Sequence, residues 1–355
     1  MLKQNNRIQY IDALRGFTMI LVVFSHVMLY TFEIESSFIN EVFMSFRMPL
    51  FFFISGFIGY KAGVEWTGKT WWTMSRKKLL VQLIPTFFFG LIYAYAYCKV
   101  DFIAFITNFN KLGYWFTIVL LEMFLLVYTM NFVLYQVDKK DSRTRKLIAL
   151  IVLYVILHLS RLIPEHLPSL GGAYNILTLH YTSAYFPFFA FGYICSMYKE
   201  IFNKVLEHKS FAALVIISFA VLFYIRESLL PNIGGGVIVS LLGIIVPLAL
   251  GIAGLLIVYN FFRVYANSFS SDKRLGRALQ YIGKRTLDIY LLHYFFIPYL
   301  PQVGRMLEQG NNATLELALG GGISLLVIGL CLVVSNIIRT SPILAKYLFG
   351  AKANH

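Results

Sequence analysis

The first apolar segment of the chain reads IDALRGFTMILVVFSHVMLYT over residues 11–31 and predicts a membrane helix. Three ionisable side chains, Asp12, Arg15 and His26, interrupt it. Such groups are expensive inside a bilayer, which makes them candidates for function. His26 stands eleven positions after Arg15. On an α-helix this spacing places them within about 20° of one face and about 16 Å apart along the axis.

Two interpretations of these side chains stay open at this point. Arg15 lies near a helix end, where an arginine often reaches the headgroups without any further role. Asp12 stands at i,i+3 to Arg15, which predicts a salt bridge. His26 is surrounded by apolar residues, where it either makes one hydrogen bond between helices or carries chemistry.

The composition excludes a water-soluble fold. Of the 355 residues 58% are apolar and 14% are charged, and the mean hydropathy is +0.69. The net charge of +14 does not indicate a nucleic-acid partner, because the basic residues lie in short loops between apolar runs rather than on one folded face. The three cysteines form no C-x-x-C pair and no metal-ligand spacing, so we expect neither disulfides nor a metal site.

Apolar runs of about 17 to 25 residues are long enough to cross a bilayer as helices. They predict an all-α polytopic helix bundle in which residues 1–355 form one membrane-embedded domain. The ninth run is the weakest, because it is short and contains Asp288, His293 and Pro298. The ten predicted helices lie near 11–32, 42–60, 78–98, 113–136, 147–163, 182–198, 211–226, 236–262, 286–301 and 316–338.

Lysine and arginine are distributed unevenly between the two sides of this predicted bundle. The N-terminal lead, alternate loops and the tail hold 24 of the 31 basic residues, and the intervening loops hold six. Short cytoplasmic loops are enriched in these residues, so both termini are predicted to be cytoplasmic. No loop exceeds roughly 20 residues, and we therefore expect no appended soluble domain.

Further candidates lie outside the first helix. Glu122 is the one carboxylate deep within a predicted span, where we expect it to be protonated, to face water or to pair with a cation such as Arg15 or His26. Arg47 begins the apolar part of the second helix at the outer surface, where it either contacts headgroups or binds an anionic or sugar ligand.

The ninth predicted helix carries two polar pairs at helical spacing. Arg285 and Asp288 are three residues apart, as are Tyr290 and His293, so each pair is predicted to share a helix face.

Deep histidines, a deep carboxylate and a basic cytoplasmic rim suit two functions. One is an acyltransferase with an imidazole as general base or acyl acceptor. The other is a proton-coupled transporter or flippase with these groups as a relay; a scaffold for envelope enzymes is a third alternative.

The order of several motifs resembles the acyltransferase 3 family of integral membrane acyltransferases. Arg15 and His26 fit the family's pattern of a basic residue, ten residues and a histidine. The match runs from about residue 7 to 338. The motifs are RIQYIDALRGFTMILVVFSH (7–26), RMPLFFFISGF (47–57), SRKKLLVQLIP (75–85), YWFTIVLL (114–121), YFPFFAFGYI (185–194) and IGKRTLDIYLLH (282–293).

The resemblance implies transfer of an acyl group, most often acetyl, from cytoplasmic acyl-CoA to a sugar or polysaccharide hydroxyl at the outer face of an inner or plasma membrane. It implies a catalytic role for His26, an essential role for Arg15 and a place for Arg47 on the acceptor side. Arg76, Arg285, Tyr290 and His293 match family positions with less defined roles; we expect Arg76 and Arg285 to meet the coenzyme's phosphates. Asp12, Asp288 and Glu122 are expected only to support these groups.

Overall fold

The structure is a computed structural model that describes residues 8–35, 37–139, 142–310 and 312–350. These residues form helices and connecting loops, and they contain no strand. The α-helices are α1 (Gln9–His26), α2 (Phe38–Gly59), α3 (Gly68–Tyr93), α4 (Phe102–Thr107), α5 (Trp115–Val137), α6 (Arg143–Leu159), α7 (Ile163–His166), α8 (Gly171–Ile176), α9 (Leu179–Met197), α10 (Lys199–Glu207), α11 (Lys209–Tyr224), α12 (Val237–Val264), α13 (Arg274–Lys284), α14 (Thr286–Leu292), α15 (Pro301–Gly310), α16 (Ala313–Ile338) and α17 (Pro342–Phe349).

Eight helical segments within the described residues are long and apolar enough to cross a membrane, which confirms the all-α polytopic fold class. They are Gln9–Thr31, Phe38–Gly59, Gly68–Cys98, Trp115–Val137, Arg143–His166, Lys209–Asn232, Val237–Val264 and Ala313–Ile338. The predicted span at 182–198 corresponds to α9, whose 19 residues suffice for a crossing but whose tyrosines and hydroxyl side chains make it less apolar.

The predicted helix at 286–301 differs from the structure. Helix α14 ends at Leu292, a 3₁₀ turn follows over His293–Phe295, and residues 297–300 are not helical. Pro298 explains the last change, because proline lacks a donor and disfavours helix in the residue before it. The backbone N–H of Leu300 donates instead to the carbonyl of Thr31 at 2.8 Å.

Helix α3 begins ten residues earlier than the predicted span at 78–98. Its N-cap is Thr67, whose hydroxyl accepts a hydrogen bond from the backbone N–H of Thr70 at 3.2 Å. A threonine cap starts a helix by satisfying a backbone donor that has no partner within the helix. Hydropathy locates only the apolar part of such a helix, so the polar first turns were missed.

The chain divides into two compact units. The first unit comprises Met1–Ile54 and Lys199–Leu332, and the second comprises Ser55–Tyr198 and Val333–His355. Of the three chain boundaries between the units, two fall within helices α2 and α16, and the third lies between α9 and α10.

In the first unit, α1 packs along the amphipathic helix α13. Glycines permit this contact: a Cβ on Gly16 would lie 2.0 Å from the carbonyl oxygen of Leu279, and one on Gly283 would lie 1.8 Å from that of Asp12. Small residues allow helix backbones to approach closely in membranes. The contact fixes the N-terminal half of α1 against the segment that leads into α14.

In the second unit, α3 packs on α5 and on α17, while α6 packs on α9. Gly56 at the end of α2 meets α9 directly, since a Cβ there would lie 1.9 Å from the carbonyl oxygen of Phe189.

Candidate active site

His26 is the last residue of α1, and the helix continues as a π-helical turn over Val27–Thr31. Single π turns inside α-helices occur frequently at functional sites. The residues before it on this helix, from Leu21 to Ser25, are all buried, whereas His26 itself is half-buried. The chain thus presents one accessible imidazole at the end of a buried helical turn.

A hydrogen bond joins His26 to His293. The Nδ1 atom of His26 lies 2.7 Å from the Nε2 atom of His293, and the two ring planes differ by 9°. The ring centres are 4.9 Å apart, which is close to the length of the hydrogen bond plus the two ring radii. The rings therefore meet edge to edge in one plane, with the bond directed along the nitrogen lone pair, rather than face to face.

The opposite edge of His293 is bonded to the backbone. Its Nδ1 lies 2.7 Å from the carbonyl oxygen of Tyr290 and 3.1 Å from that of Ile289. Helix α14 ends one residue before His293, whose backbone N–H donates to the carbonyl of Ile289. The carbonyls after Ile289 have no regular donor within the helix. The imidazole N–H supplies such a donor, so the ring of His293 is held on both sides. His293 is fully buried.

Tyrosine rings surround the two histidines. Tyr294 lies 4.1 Å from His293 and 5.2 Å from His26, measured between ring centres, and Tyr30 lies 5.7 Å from His26. The ring of Tyr290 is 6.0 Å from that of His293, so the pair predicted from their spacing is brought together.

Arg47 approaches the same cluster from α2. Its Nη1 donates to the carbonyl of Val22 at 3.4 Å, one helical turn before His26. The guanidinium is near enough to both imidazoles to interact with them electrostatically. The structure therefore brings Arg47, His26 and His293 into one group.

The second polar group of this unit lies towards the start of α1. Arg15 Nη1 is 3.9 Å from Asp12 Oδ1, which confirms the predicted pair, and Arg15 Nη2 donates to Thr286 Oγ1 at 2.9 Å. Thr286 follows Arg285, the residue between α13 and α14, whose guanidinium carbon lies 5.1 Å from the ring centre of Tyr281. Arg15 and Arg285 are thus brought to one end of the first unit.

Asp288 is buried in α14 at 1% exposure. Arg285, with φ −116° and ψ 17°, is the N-cap of α14, and Asp288 lies in the first turn of that helix.

Two candidates belong to the second unit. Arg76 is exposed on α3. Glu122 on α5 accepts hydrogen bonds from the hydroxyls of Thr178, at 3.3 Å, and Thr182. Lys111, which is close to Glu122, donates to the carbonyls of Asn108 and Asn175 at 2.8 Å and 2.7 Å. Glu122 therefore has hydroxyl partners on the helix start of α9 and a lysine neighbour.

Sequence reasoning missed Thr286, Thr178, Thr182 and Lys111 as partners of the charged groups. Local spacing holds no signal for the first three, since 271, 56 and 60 residues separate them from Arg15 or Glu122. Lys111 stands eleven residues before Glu122 in an apolar context, and that lone cation could have been singled out.

A comparison with protein families matches residues 8–335 to a family model described as an acyltransferase domain, named Acyl_transf_3. The match covers nearly the whole chain and includes both polar groups of the first unit as well as Arg76 and Glu122. No curated protein and no solved structure matches the chain.

Proposed function

Because this chain belongs to the acyltransferase 3 family, we propose that it moves an acetyl group from cytoplasmic acetyl-CoA to a hydroxyl of a cell-envelope sugar or polysaccharide. The family match supports membrane acyltransferase activity in general. The acetyl donor, the sugar acceptor and a place in the inner or plasma membrane are our proposals, as the resemblance of the motifs implies.

The observation that carries the proposal is the accessible imidazole of His26, with one nitrogen bonded to His293. An imidazole held in this way is suited to general-base catalysis. His26 takes the proton of the acceptor hydroxyl while the oxygen attacks the thioester carbonyl. The new C–O bond forms, the C–S bond breaks, and the proton passes from His26 to the leaving thiolate of CoA.

The donor's phosphates are proposed to bind at the other end of α1. Arg15 is partly exposed, and its geometry is set by Asp12 and Thr286. Arg285 adjoins Thr286, so two guanidiniums are available together. Guanidinium groups bind phosphate strongly because they form paired, charge-assisted hydrogen bonds.

The acceptor is proposed to approach His26 on the side of Arg47. A guanidinium beside the reacting atoms stabilises the negative charge that develops on the carbonyl oxygen. Arg47 therefore acts on the substrate in this proposal, while its bond to Val22 holds it in place.

The test is an incubation of membranes containing the protein with radiolabelled acetyl-CoA, followed by separation of envelope glycans. We expect label in a glycan fraction with the native chain and none with His26→Ala. His158→Ala is the matched control, since His158 is a half-buried histidine on α6 that belongs to neither polar group. It should transfer label as the native chain does.

Two results would contradict this function. Equal labelling with native chain and His26→Ala would exclude His26 as the base. Absence of label with both acetyl-CoA and succinyl-CoA, in a folded protein that moves a glycan across the membrane without acyl-CoA, would establish the transporter instead.

A further inference from the structure

The hydrogen bonds of His293 restrict where its proton is placed. A backbone carbonyl accepts hydrogen bonds and has no proton to donate. The Nδ1 atom of His293, 2.7 Å from the carbonyl of Tyr290, must therefore carry a hydrogen. In a neutral imidazole only one nitrogen is protonated. The Nε2 atom of His293 is then a hydrogen-bond acceptor.

The hydrogen bond between the two rings also determines which nitrogen of His26 carries the hydrogen. Since Nε2 of His293 accepts, Nδ1 of His26 must donate across the 2.7 Å separation. The near-coplanar, edge-to-edge geometry is the one in which an N–H points along the facing lone pair. Neutral His26 then has its hydrogen on Nδ1 and a bare lone pair on Nε2.

The remaining nitrogen of His26 is accessible. Among the residues that the structure describes, none forms a hydrogen bond to its Nε2. The side chain is half-buried, whereas His293 is fully buried. The ring of His26 is thus partly accessible, and the ring of His293 is buried and bonded to the backbone.

We propose that His293 is a positioning residue which fixes the tautomer of His26, so that Nε2 of His26 is the atom that takes the acceptor's proton. The inference rests on the proposed function only for the identity of that proton. The chain of hydrogen bonds runs from the Tyr290 carbonyl through His293 to Nδ1 of His26. It performs the orienting task that a carboxylate performs for the histidine of a catalytic triad, with a backbone carbonyl as its fixed end.

The arrangement also stabilises His26 once it holds two protons. Its Nδ1–H remains bonded to His293 while Nε2 carries the proton from the hydroxyl, so neither ring has to turn during the transfer. Preorganised partners of this kind lower the barrier because no reorganisation is needed as charge develops.

Two substitutions of His293 separate positioning from packing. In His293→Gln the side-chain carbonyl reaches the place of the former Nε2 and still accepts from His26. In His293→Asn the shorter amide can still bond the Tyr290 carbonyl but leaves Nδ1 of His26 without an acceptor. We expect His293→Asn to lower kcat by about 10- to 100-fold, the effect that loss of the partner orienting a metal-bound histidine typically has, with the KM for acetyl-CoA unchanged. His293→Gln should retain kcat within a few-fold.

A second measurement does not depend on activity. Nitrogen NMR of the full-length protein labelled at histidine should show a protonated Nδ1 and an unprotonated Nε2 on His26, assigned by comparison with His26→Gln. A protonated Nε2 on neutral His26 would overturn the inference, as would equal kcat values for the Asn and Gln variants. If the native chain transferred no acyl group while the NMR signals showed this tautomer, the proposed function would fail and the proton assignment would stand.

Discussion

The Cα atom of Gly283 faces the carbonyl oxygen of Asp12 so closely that a Cβ on Gly283 would lie 1.8 Å from that oxygen. Gly16 makes the reciprocal contact, since a Cβ there would lie 2.0 Å from the carbonyl oxygen of Leu279. The two glycines bring the backbones of α1 and α13 together beside Arg15. Any side chain at either position must separate the helices, and the phosphate site proposed between them would widen.

We expect Gly283→Ala to lower the free energy of unfolding by about 1 to 3 kcal/mol or more, because the added methyl group would clash with backbone atoms that cannot move aside easily. Thermal unfolding in detergent measures this change. Gly321→Ala is the control, since a Cβ on Gly321 of α16 meets no atom within 4 Å. Equal unfolding temperatures for the two variants would show that α1 and α13 do not pack in this way.

Thr286 orients Arg15 through one hydrogen bond of 2.9 Å. Thr286→Val keeps the shape of the side chain and removes the acceptor. A hydrogen bond to a charged group contributes about 1.5–3 kcal/mol, so we expect the KM for acetyl-CoA to rise by about 10- to 100-fold. Initial rates at varied donor concentration measure it. The control is Thr314→Val, at an exposed position, which should leave the KM unchanged. If Thr286→Val changed kcat and not the KM, Thr286 would have no part in binding the donor.

Arg285 is expected to contact a phosphate of the donor. Arg285→Gln should raise the KM for acetyl-CoA several-fold, and the effect should weaken at high salt because exposed charges are screened. With acetyl-dephospho-CoA, which lacks the 3′-phosphate, the variant and the native chain should differ less. Arg305→Gln, an exposed arginine on α15, is the control. An unchanged KM in Arg285→Gln would remove Arg285 from the donor site.

Lys111 gives the stability of the second unit a pH dependence. It lies outside the membrane-spanning segments and is 2% exposed. Burial lowers the pKa of Lys111 to about 8 from 10.5, although the nearby Glu122 opposes part of the shift. Between these two values the unfolded chain binds a proton that the folded protein has released. The free energy of unfolding therefore rises with pH across this window, by at most about 1.4 kcal/mol per pH unit.

Comparing the native chain with Lys111→Met isolates this contribution from other groups that titrate at alkaline pH. Chemical unfolding at a series of pH values from 7 to 11 should give a difference between the two proteins that grows in favour of the native chain as pH rises. Parallel curves would mean that Lys111 keeps its ordinary pKa in the folded protein.

The membrane segments could be predicted from the sequence, because the length of an apolar run shows directly whether a helix can cross a bilayer. The pairing of Asp12 with Arg15 was accessible too, since both lie on one helix and local spacing fixes their distance. These predictions needed only the geometry of a single helix.

The partners of His26 and Arg15 could not be predicted from the sequence, because His293 is 267 positions from His26 and Thr286 is 271 positions from Arg15. Such contacts depend on how helices pack, and periodicity within one helix carries no information about that.

The π turn at Val27–Thr31 changes the angular phase of the first membrane segment. An i→i+5 turn accommodates one residue more than the α-helix would, and one residue corresponds to about 100° of rotation. Up to His26 the helix keeps the phase that aligns this histidine with Arg15. Beyond it the chain is rotated relative to an unbroken α-helix, and the carbonyl of Thr31 accepts a hydrogen bond from the backbone N–H of Leu300. A single-residue insertion or deletion in this turn would therefore leave the half of the helix that carries Arg15 unchanged. It would rotate the residues that follow His26 by about 100° around the helix axis.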